Sequence, residues 1–258
     1  MSEKIFKGNN IIVYDDILTE EEQNKLENLF FNKNSFPWYI KKYNSDEIIV
    51  EDNKNVVINK KDQEDYASIF KNNKNINEPP QMTHVFFQLP RTHLGINIPE
   101  KNASDHFYMV NTLLNKVINY FKLKNLNLLR AKANLLFQLQ NNQKSTHTTP
   151  HIDFVREHLV CIYYINNSDG DTHFFEEVPM PSWLSLSKGY FDSKFKKVLA
   201  ENEFKITKSI SPKKGRFLFF KGNIIHANGN PIYNNTRMVM NIDFKILNKK
   251  DYEMSGMH

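Results

Sequence analysis

Two stretches of the chain alternate with a period of two, the mark of strands whose faces differ. In residues 128 to 140, Asn134, Leu136 and Gln138 fall on one side and Leu135, Phe137 and Leu139 on the other. In residues 237 to 246, Arg237, Val239 and Asn241 oppose Met238, Met240 and Ile242. The all-apolar face of the second strand is the packed one, which turns Arg237 the other way. If one face of the first lines a pocket, it is the face carrying Asn134. Between these two stretches lie short apolar runs at 159 to 165, 172 to 175 and 217 to 220, and the run Ile224-Ile225-His226. The turn signal Ser168-Asp169-Gly170-Asp171 separates the first two, which read as paired strands, and Lys221-Gly222-Asn223 joins the last two into an expected hairpin ending at His226. Lys214-Gly215-Arg216 leads into that hairpin.

Helical spacing is clearest in residues 104 to 121, where Val110, Leu113, Leu114, Val117, Ile118 and Phe121 share a face and Ser104 is placed to cap. This helix is expected to cover the outer face of a sheet. Residues 11 to 14 read as a strand. Thr19 and Glu22 then form a capping box for a helix running to about 32, with Leu26, Leu29 and Phe30 buried. The aromatic cluster Phe36-Pro37-Trp38-Tyr39 is expected to pack beneath the sheet. Residues 41 to 80 are rich in Asn, Lys and Asp and read as loops and edge strands, with a short helix near 64 to 70; residues 83 to 89 read as a strand. Residues 141 to 150 have turn composition and form a loop placed to close over a substrate. The segment 178 to 202 interrupts the strand series with Trp183, Tyr190, Phe191 and Phe195 among several lysines. It reads as a helix-containing insertion at the sheet edge in preference to a surface on which nucleic acid or peptide stacks.

With 258 residues, 40% of them hydrophobic and 13% aromatic, the chain has enough apolar material for one sizeable domain over residues 1 to 258. Helical and loop support occupies 1 to 125, and the strand core runs from about 126 to 246. Cys161 is the lone cysteine, which excludes an intrachain disulfide framework and makes it a small core residue. No stretch resembles a signal peptide or a membrane span, so the expectation is a soluble, cytoplasmic protein. The net charge of +5 is spread through Lys- and Asn-rich loops and does not by itself favour nucleic acid over a peptide or small-molecule partner.

The candidate chemistry begins at His151-Ile152-Asp153. On a strand, residues two apart point to one side, so His151 and Asp153 can direct a nitrogen and an oxygen to one point. His226 is the best candidate for a third ligand. Two His and one carboxylate with open positions opposite is the facial arrangement of non-haem Fe(II) oxygenases, and zinc accepts the same set. His147 lies four residues before His151, but Pro150 argues against a shared helix; His158 and His173 read as hydrogen-bonded strand residues.

Taken in order, His151-Ile152-Asp153, the run Cys161-Ile162-Tyr163-Tyr164-Ile165-Asn166, Lys214-Gly215-Arg216, His226 and Arg237 resemble the Fe(II)- and 2-oxoglutarate-dependent dioxygenases, in particular their prolyl 4-hydroxylase-like branch. The resemblance implies a mainly β fold with flanking helices (α+β), built on a double-stranded β-helix, the cupin-like jelly roll. It implies Fe(II) held by His151, Asp153 and His226, with 2-oxoglutarate and O₂ consumed and a C–H bond hydroxylated. Arg237 is then the anchor for the distal carboxylate of 2-oxoglutarate, a role suited to a planar guanidinium and without purpose in a zinc hydrolase. Some branches carry Ser two residues after this arginine, where this chain has Val239. Tyr164 aligns with a tyrosine that binds the same carboxylate, and Asn241 and Thr172 are further candidates on that side. The resemblance favours peptidyl proline or a small molecule as substrate. The alternatives are a nucleic-acid-directed oxygenase, a zinc hydrolase and a non-catalytic cupin-like binding module.

Overall fold

In the computed structural model the two alternating stretches become the two longest strands and pair with each other. The described residues are 11–15, 17–31, 36–41, 79–93, 96–98, 101–123, 126–140, 146–148, 150–151, 153, 158–176, 205–222 and 224–246. In chain order they form β1 (Ile12–Tyr14), α1 (Glu20–Phe31), β2 (Tyr39–Lys41), β3 (Gln81–Gln88), β4 (Arg91–His93), β5 (Ile96–Ile98), α2 (Phe107–Phe121) and β6 (Leu126–Phe137). Then follow β7 (Leu159–Tyr164), β8 (Thr172–Phe175), β9 (Ile206–Ile210), β10 (Phe217–Lys221), β11 (His226–Asn228) and β12 (Thr236–Ile246). A seven-stranded antiparallel sheet runs β1-β10-β7-β12-β6-β3-β2, and a three-stranded sheet runs β11-β8-β9. Two isolated bridges, His147 to Gly229 and His151 to His226, lay His147 and His151 along the free side of β11. The result is a double-stranded β-helix with helices on one side, as the family resemblance implies.

The alternation of β12 sorts its side chains between two cores. Met238, Met240, Ile242 and Phe244 join Cys161, Tyr163, Phe217 and Phe219 in the core beneath the helices. Helix α2 contributes Met109, Val110, Leu113, Leu114, Val117 and Phe121 to that layer. Each such side chain, fully buried, adds roughly 1.5 to 3 kcal/mol. The opposite face puts Val160, Ile162, Tyr164, Leu218, Phe220 and Val239 against Phe174 of the smaller sheet. The capping box forms as expected: Glu22 accepts from the Thr19 N–H at 3.0 Å and Thr19 Oγ1 from the Glu22 N–H at 3.3 Å. Phe36 and Trp38 pack with Phe30 under the sheet, whereas Tyr39 is exposed on the edge strand β2.

The pairings differ from the sequence reading in two places. Residues 159–164 and 172–175 do not pair with each other: β7 lies between β10 and β12, while β8 lies between β11 and β9. Likewise β10 and β11 are not a hairpin but belong to different sheets. Both connections cross the sandwich, because each strand has an apolar face that must meet the opposite sheet. Phe220 and His226 therefore face each other, with ring centroids 4.7 Å apart, instead of lying side by side. Ser104 does not cap α2: the helix starts at Phe107, and the Ser104 hydroxyl bonds the His84 imidazole at 3.0 Å. Strand β9 carries little apolar signal in the sequence, because Ile206-Thr207-Lys208-Ser209-Ile210 is an exposed edge. The helix expected near 64–70, the insertion 178–202 and most of the loop 141–150 lie outside the described residues.

Candidate metal and co-substrate site

The His151–His226 bridge sets the first two candidate ligands. Each backbone N–H donates to the other's carbonyl, at 2.9 and 3.0 Å, which aims both imidazoles to the same side and leaves the ring centroids 4.8 Å apart. Asp153, two residues on, completes the group: ligand atoms of His151, Asp153 and His226 lie within 4.8 Å of one another. His226 Nδ1 is 3.0 Å from the Ile224 carbonyl, so that nitrogen carries the proton and the Nε2 lone pair points inward. It faces Asp153 Oδ2 at 3.4 Å. Two electron-pair donors face to face in a buried pocket call for a cation between them, and ligands at right angles around a metal with bonds near 2.1 Å sit about 3 Å apart. The donor set thus fits a divalent metal. His147 and His173 stay outside the group: the His147 imidazole bonds the Thr148 carbonyl, and His173, on β8, bonds Ser209 as expected of a strand residue.

Asp153 is also held from behind. Arg130, on β6, donates from Nη2 to Asp153 Oδ1 and from Nε to Asp243 Oδ2 at 2.7 Å. Burial alone would raise the Asp153 carboxyl, but the Arg130 charge holds it well below the ordinary carboxylate range. Neither Arg130 nor Asp243 emerges from the sequence alone. Each shares strand parity with residues that were singled out, Asn134 on β6 and Asn241 on β12. That they face each other is visible only in the register, which sets Asp243 opposite Arg130.

On the same inner face, Arg237, the second residue of β12, has 0% of its surface exposed. Its Nε donates to the Gly170 carbonyl at 2.6 Å and its Nη2 to Thr172 Oγ1 at 2.9 Å; the guanidinium carbon lies 5.7 Å from the Tyr164 ring centroid. Nη1 is buried with no hydrogen-bond partner among the described residues, and no ion pair to Arg237 forms among them. The strand order explains the company: the turn before β8 brings Gly170, β8 itself begins with Thr172, and β7 pairs Tyr164 with Val239 beside Arg237. Tyr164 reaches across the sandwich to Thr172 with O···O 2.6 Å. A side chain on Gly170 would strike the Gly229 carbonyl and Arg237 Cδ, so glycine is required there by close approach. Asn241 shares the face, and its Oδ1 is likewise buried without a partner among the described residues. Arg237, Tyr164 and Thr172 are thus brought together, with Asn241 two residues beyond Val239 on the same strand. An unpaired buried guanidinium asks for an anion, and a planar carboxylate matches its fork.

No family model matches the chain, and no curated protein matches it in sequence. Solved structures do match. An oxidoreductase of the 2OG-Fe(II) oxygenase family from Burkholderia pseudomallei shares 9% identity at a TM-score of 0.52, over 96% of this chain and 90% of that chain. A prolyl hydroxylase from Trichoplax adhaerens, solved with a hypoxia inducible factor peptide, shares 9% identity over 99% of this chain and 91% of that one, at TM-score 0.49. The viral collagen prolyl hydroxylase of Paramecium Bursaria Chlorella virus-1 shares 13% over 94% and 99%, at TM-score 0.44. At such identities the likeness is one of fold: this chain folds as the 2OG-Fe(II) oxygenases do.

Proposed function

We propose that this chain is an Fe(II)- and 2-oxoglutarate-dependent oxygenase that hydroxylates its substrate. The observation that carries the reading is one inner face bearing both the His151, Asp153 and His226 donors and the buried Arg237, whose Nη1 has no partner among the described residues. In it, His151, Asp153 and His226 hold the iron, and Arg237, steadied by Gly170 and Thr172, takes the distal carboxylate of 2-oxoglutarate. Tyr164 and Thr172 complete the wall around that carboxylate, and the Asn241 side-chain amide lies on the same face. Iron bound there with 2-oxoglutarate and O₂ supplies the oxidising chemistry: a C–H bond becomes C–OH while the co-substrate leaves as succinate and CO₂. The protein's part is positioning. The inter-sheet cluster of Val160, Ile162, Phe174, Leu218, Phe220 and Val239 excludes water around these groups, which strengthens every charge contact inside.

The zinc hydrolase reading shares the ligands but leaves a buried cation without a purpose, and a binding module with a degraded site has no use for a complete donor set. Peptidyl proline or an amide-bearing small molecule is the substrate class we favour over nucleic acid. The sheet face carrying Arg237 continues into Asn134 and Thr83, hydrogen-bonding groups joined at 3.1 Å. A cytoplasmic location belongs to the same proposal, in keeping with the single, buried Cys161; no helix among the described residues is long and apolar enough to cross a membrane.

Incubation with Fe(II), 2-oxoglutarate and O₂ against peptide, metabolite and nucleic-acid pools tests it. Succinate should form only with all three present, a substrate should gain the mass of one oxygen, and His226→Ala should abolish both. Hydrolysis supported by Zn²⁺ without O₂ would sink the reading.

A further inference from the structure

We propose that Arg130 and Asp243 form a buried clamp that presents Asp153 to the metal through a single oxygen, which makes Arg130 a positioning residue of the site. The inference rests on the iron-site reading above and concerns how that site is built. Asp153 lies beyond the last bridged residue, His151, so strand pairing does not set the direction of its carboxylate. What sets it is the guanidinium of Arg130, which donates from Nη2 to Oδ1. The other oxygen, Oδ2, is the one that faces His226 Nε2 at 3.4 Å. The two oxygens therefore have separate tasks, one tied to protein and one turned to the metal.

Arg130 cannot swing away from this task, because its Nε is committed to Asp243 Oδ2 at 2.7 Å. Asp243 is fully buried and sits opposite Arg130 in the register of β12 and β6, so the clamp is anchored on the two central strands of the large sheet. Arg130 itself is 2% exposed, and such a side chain keeps one geometry. The second carboxylate also balances the guanidinium charge, so Arg130 can donate to a metal ligand without adding net positive charge beside a cation. A lysine in its place has one nitrogen and no planar fork, and cannot satisfy both carboxylates in this geometry. An aspartate free to turn can offer a metal both oxygens; tied through Oδ1 it offers one, which keeps the positions opposite the three ligands open.

The test is anaerobic titration of Co(II) into the full chain, followed by visible absorption, for the parent, Arg130→Met, Arg130→Lys and the double variant Arg130→Met/Asp243→Leu. Loss of an outer partner of this kind weakens metal binding on the order of 10- to 100-fold, and that is the expected effect in all three variants, with an altered Co(II) spectrum. Arg130→Met alone leaves Asp243 buried without its cation and can unfold the chain. The double variant removes both charges together, an exchange that buried pairs commonly tolerate, and so separates folding from positioning. Parent affinity and parent spectrum in the double variant would overturn the clamp. So would loss of its fold, which would assign the pair to stability alone. His226→Ala distinguishes the two failures: if it binds Co(II) as tightly as the parent, the iron-site reading itself falls, whereas if it loses the metal while the Arg130 variants keep it, only the clamp falls.

Discussion

Replacing Arg237 by Met separates what this residue does for binding from what it does for the fold. The guanidinium uses Nε on the Gly170 carbonyl and Nη2 on Thr172, and keeps Nη1 for a ligand. A buried charge with no direct ion pair among the described residues, only the more distant Asp171 carboxylate, costs a protein several kcal/mol, so its removal returns stability. Against that gain stands the Gly170 carbonyl left unsatisfied, about 1 to 3 kcal/mol. The two nearly cancel, and with about 2 to 4 °C per kcal/mol for a chain of this size, the melting temperature without ligand should stay within about 4 °C of the parent. Binding is not protected by any such cancellation. Truncating one partner of a buried, hydrogen-bonded charge pair costs about 2 to 5 kcal/mol, or on the order of thirty-fold to several thousand-fold in the 2-oxoglutarate dissociation constant. Tyr164→Phe removes a hydroxyl that bonds Thr172 and also interacts with Arg237, and should cost less, about 1.5 to 3 kcal/mol at most. Anaerobic calorimetric titration of 2-oxoglutarate into the Fe(II) protein measures both. Thermal melts add an independent check: at a hundred times its dissociation constant the ligand stabilises the parent by about 2.7 kcal/mol, and the same concentration should stabilise Arg237→Met by no more than about 0.9 kcal/mol. Parent-like affinity in Arg237→Met would mean that the carboxylate is held elsewhere. A fall in melting temperature well beyond 10 °C without ligand would mean that Arg237 is a structural residue.

Two further outcomes follow from the same corner of the fold. Gly170→Ala drives a methyl group toward the Gly229 carbonyl and Arg237 Cδ, and should weaken 2-oxoglutarate binding while Fe(II) affinity, measured separately, holds. Asp169 accepts backbone N–H groups of Ile232, Tyr233 and Asn234 at 2.8, 2.9 and 2.9 Å, fastening the loop that leads into Arg237. Burial alone would raise its carboxyl, but these three donors hold it below its usual value. A depressed carboxylate stabilises above its unfolded pKa of about 3.9, and loses that contribution as pH falls through the folded value. Asp169→Asn keeps only one accepting oxygen and should melt about 2 to 4 °C lower at neutral pH for a loss of about 1 kcal/mol, with the gap closing below pH 4. A gap that persists unchanged down to pH 2.5 would refute the charged cap.

By itself the sequence determined the local pieces and the residues bearing the chemistry. The alternation of β12 assigned Arg237 and Met238 to opposite faces, and the capping box opened α1 at the expected place. These are properties of neighbours in the chain, decided by steric periods of two and 3.6 and by short-range hydrogen bonds. Asp153 lies in a bend outside any strand, so its meeting with His151 was decided by the tertiary structure and not by parity. Only the tertiary structure decided which strands pair. The runs around 159–164 and 172–175 are separated by a strong turn signal, yet they enter different sheets, because a turn specifies a change of direction and the burial of two apolar faces specifies the partner. Arg130 and Asp243 show the same limit at the site. They stand 113 residues apart and meet because β6 and β12 pair in one register, and no period within either strand carries that information. Likewise, Arg237 could be read as an inward cation, but its lack of an anionic partner among the described residues is a property of its surroundings, and only the packed sandwich supplies those.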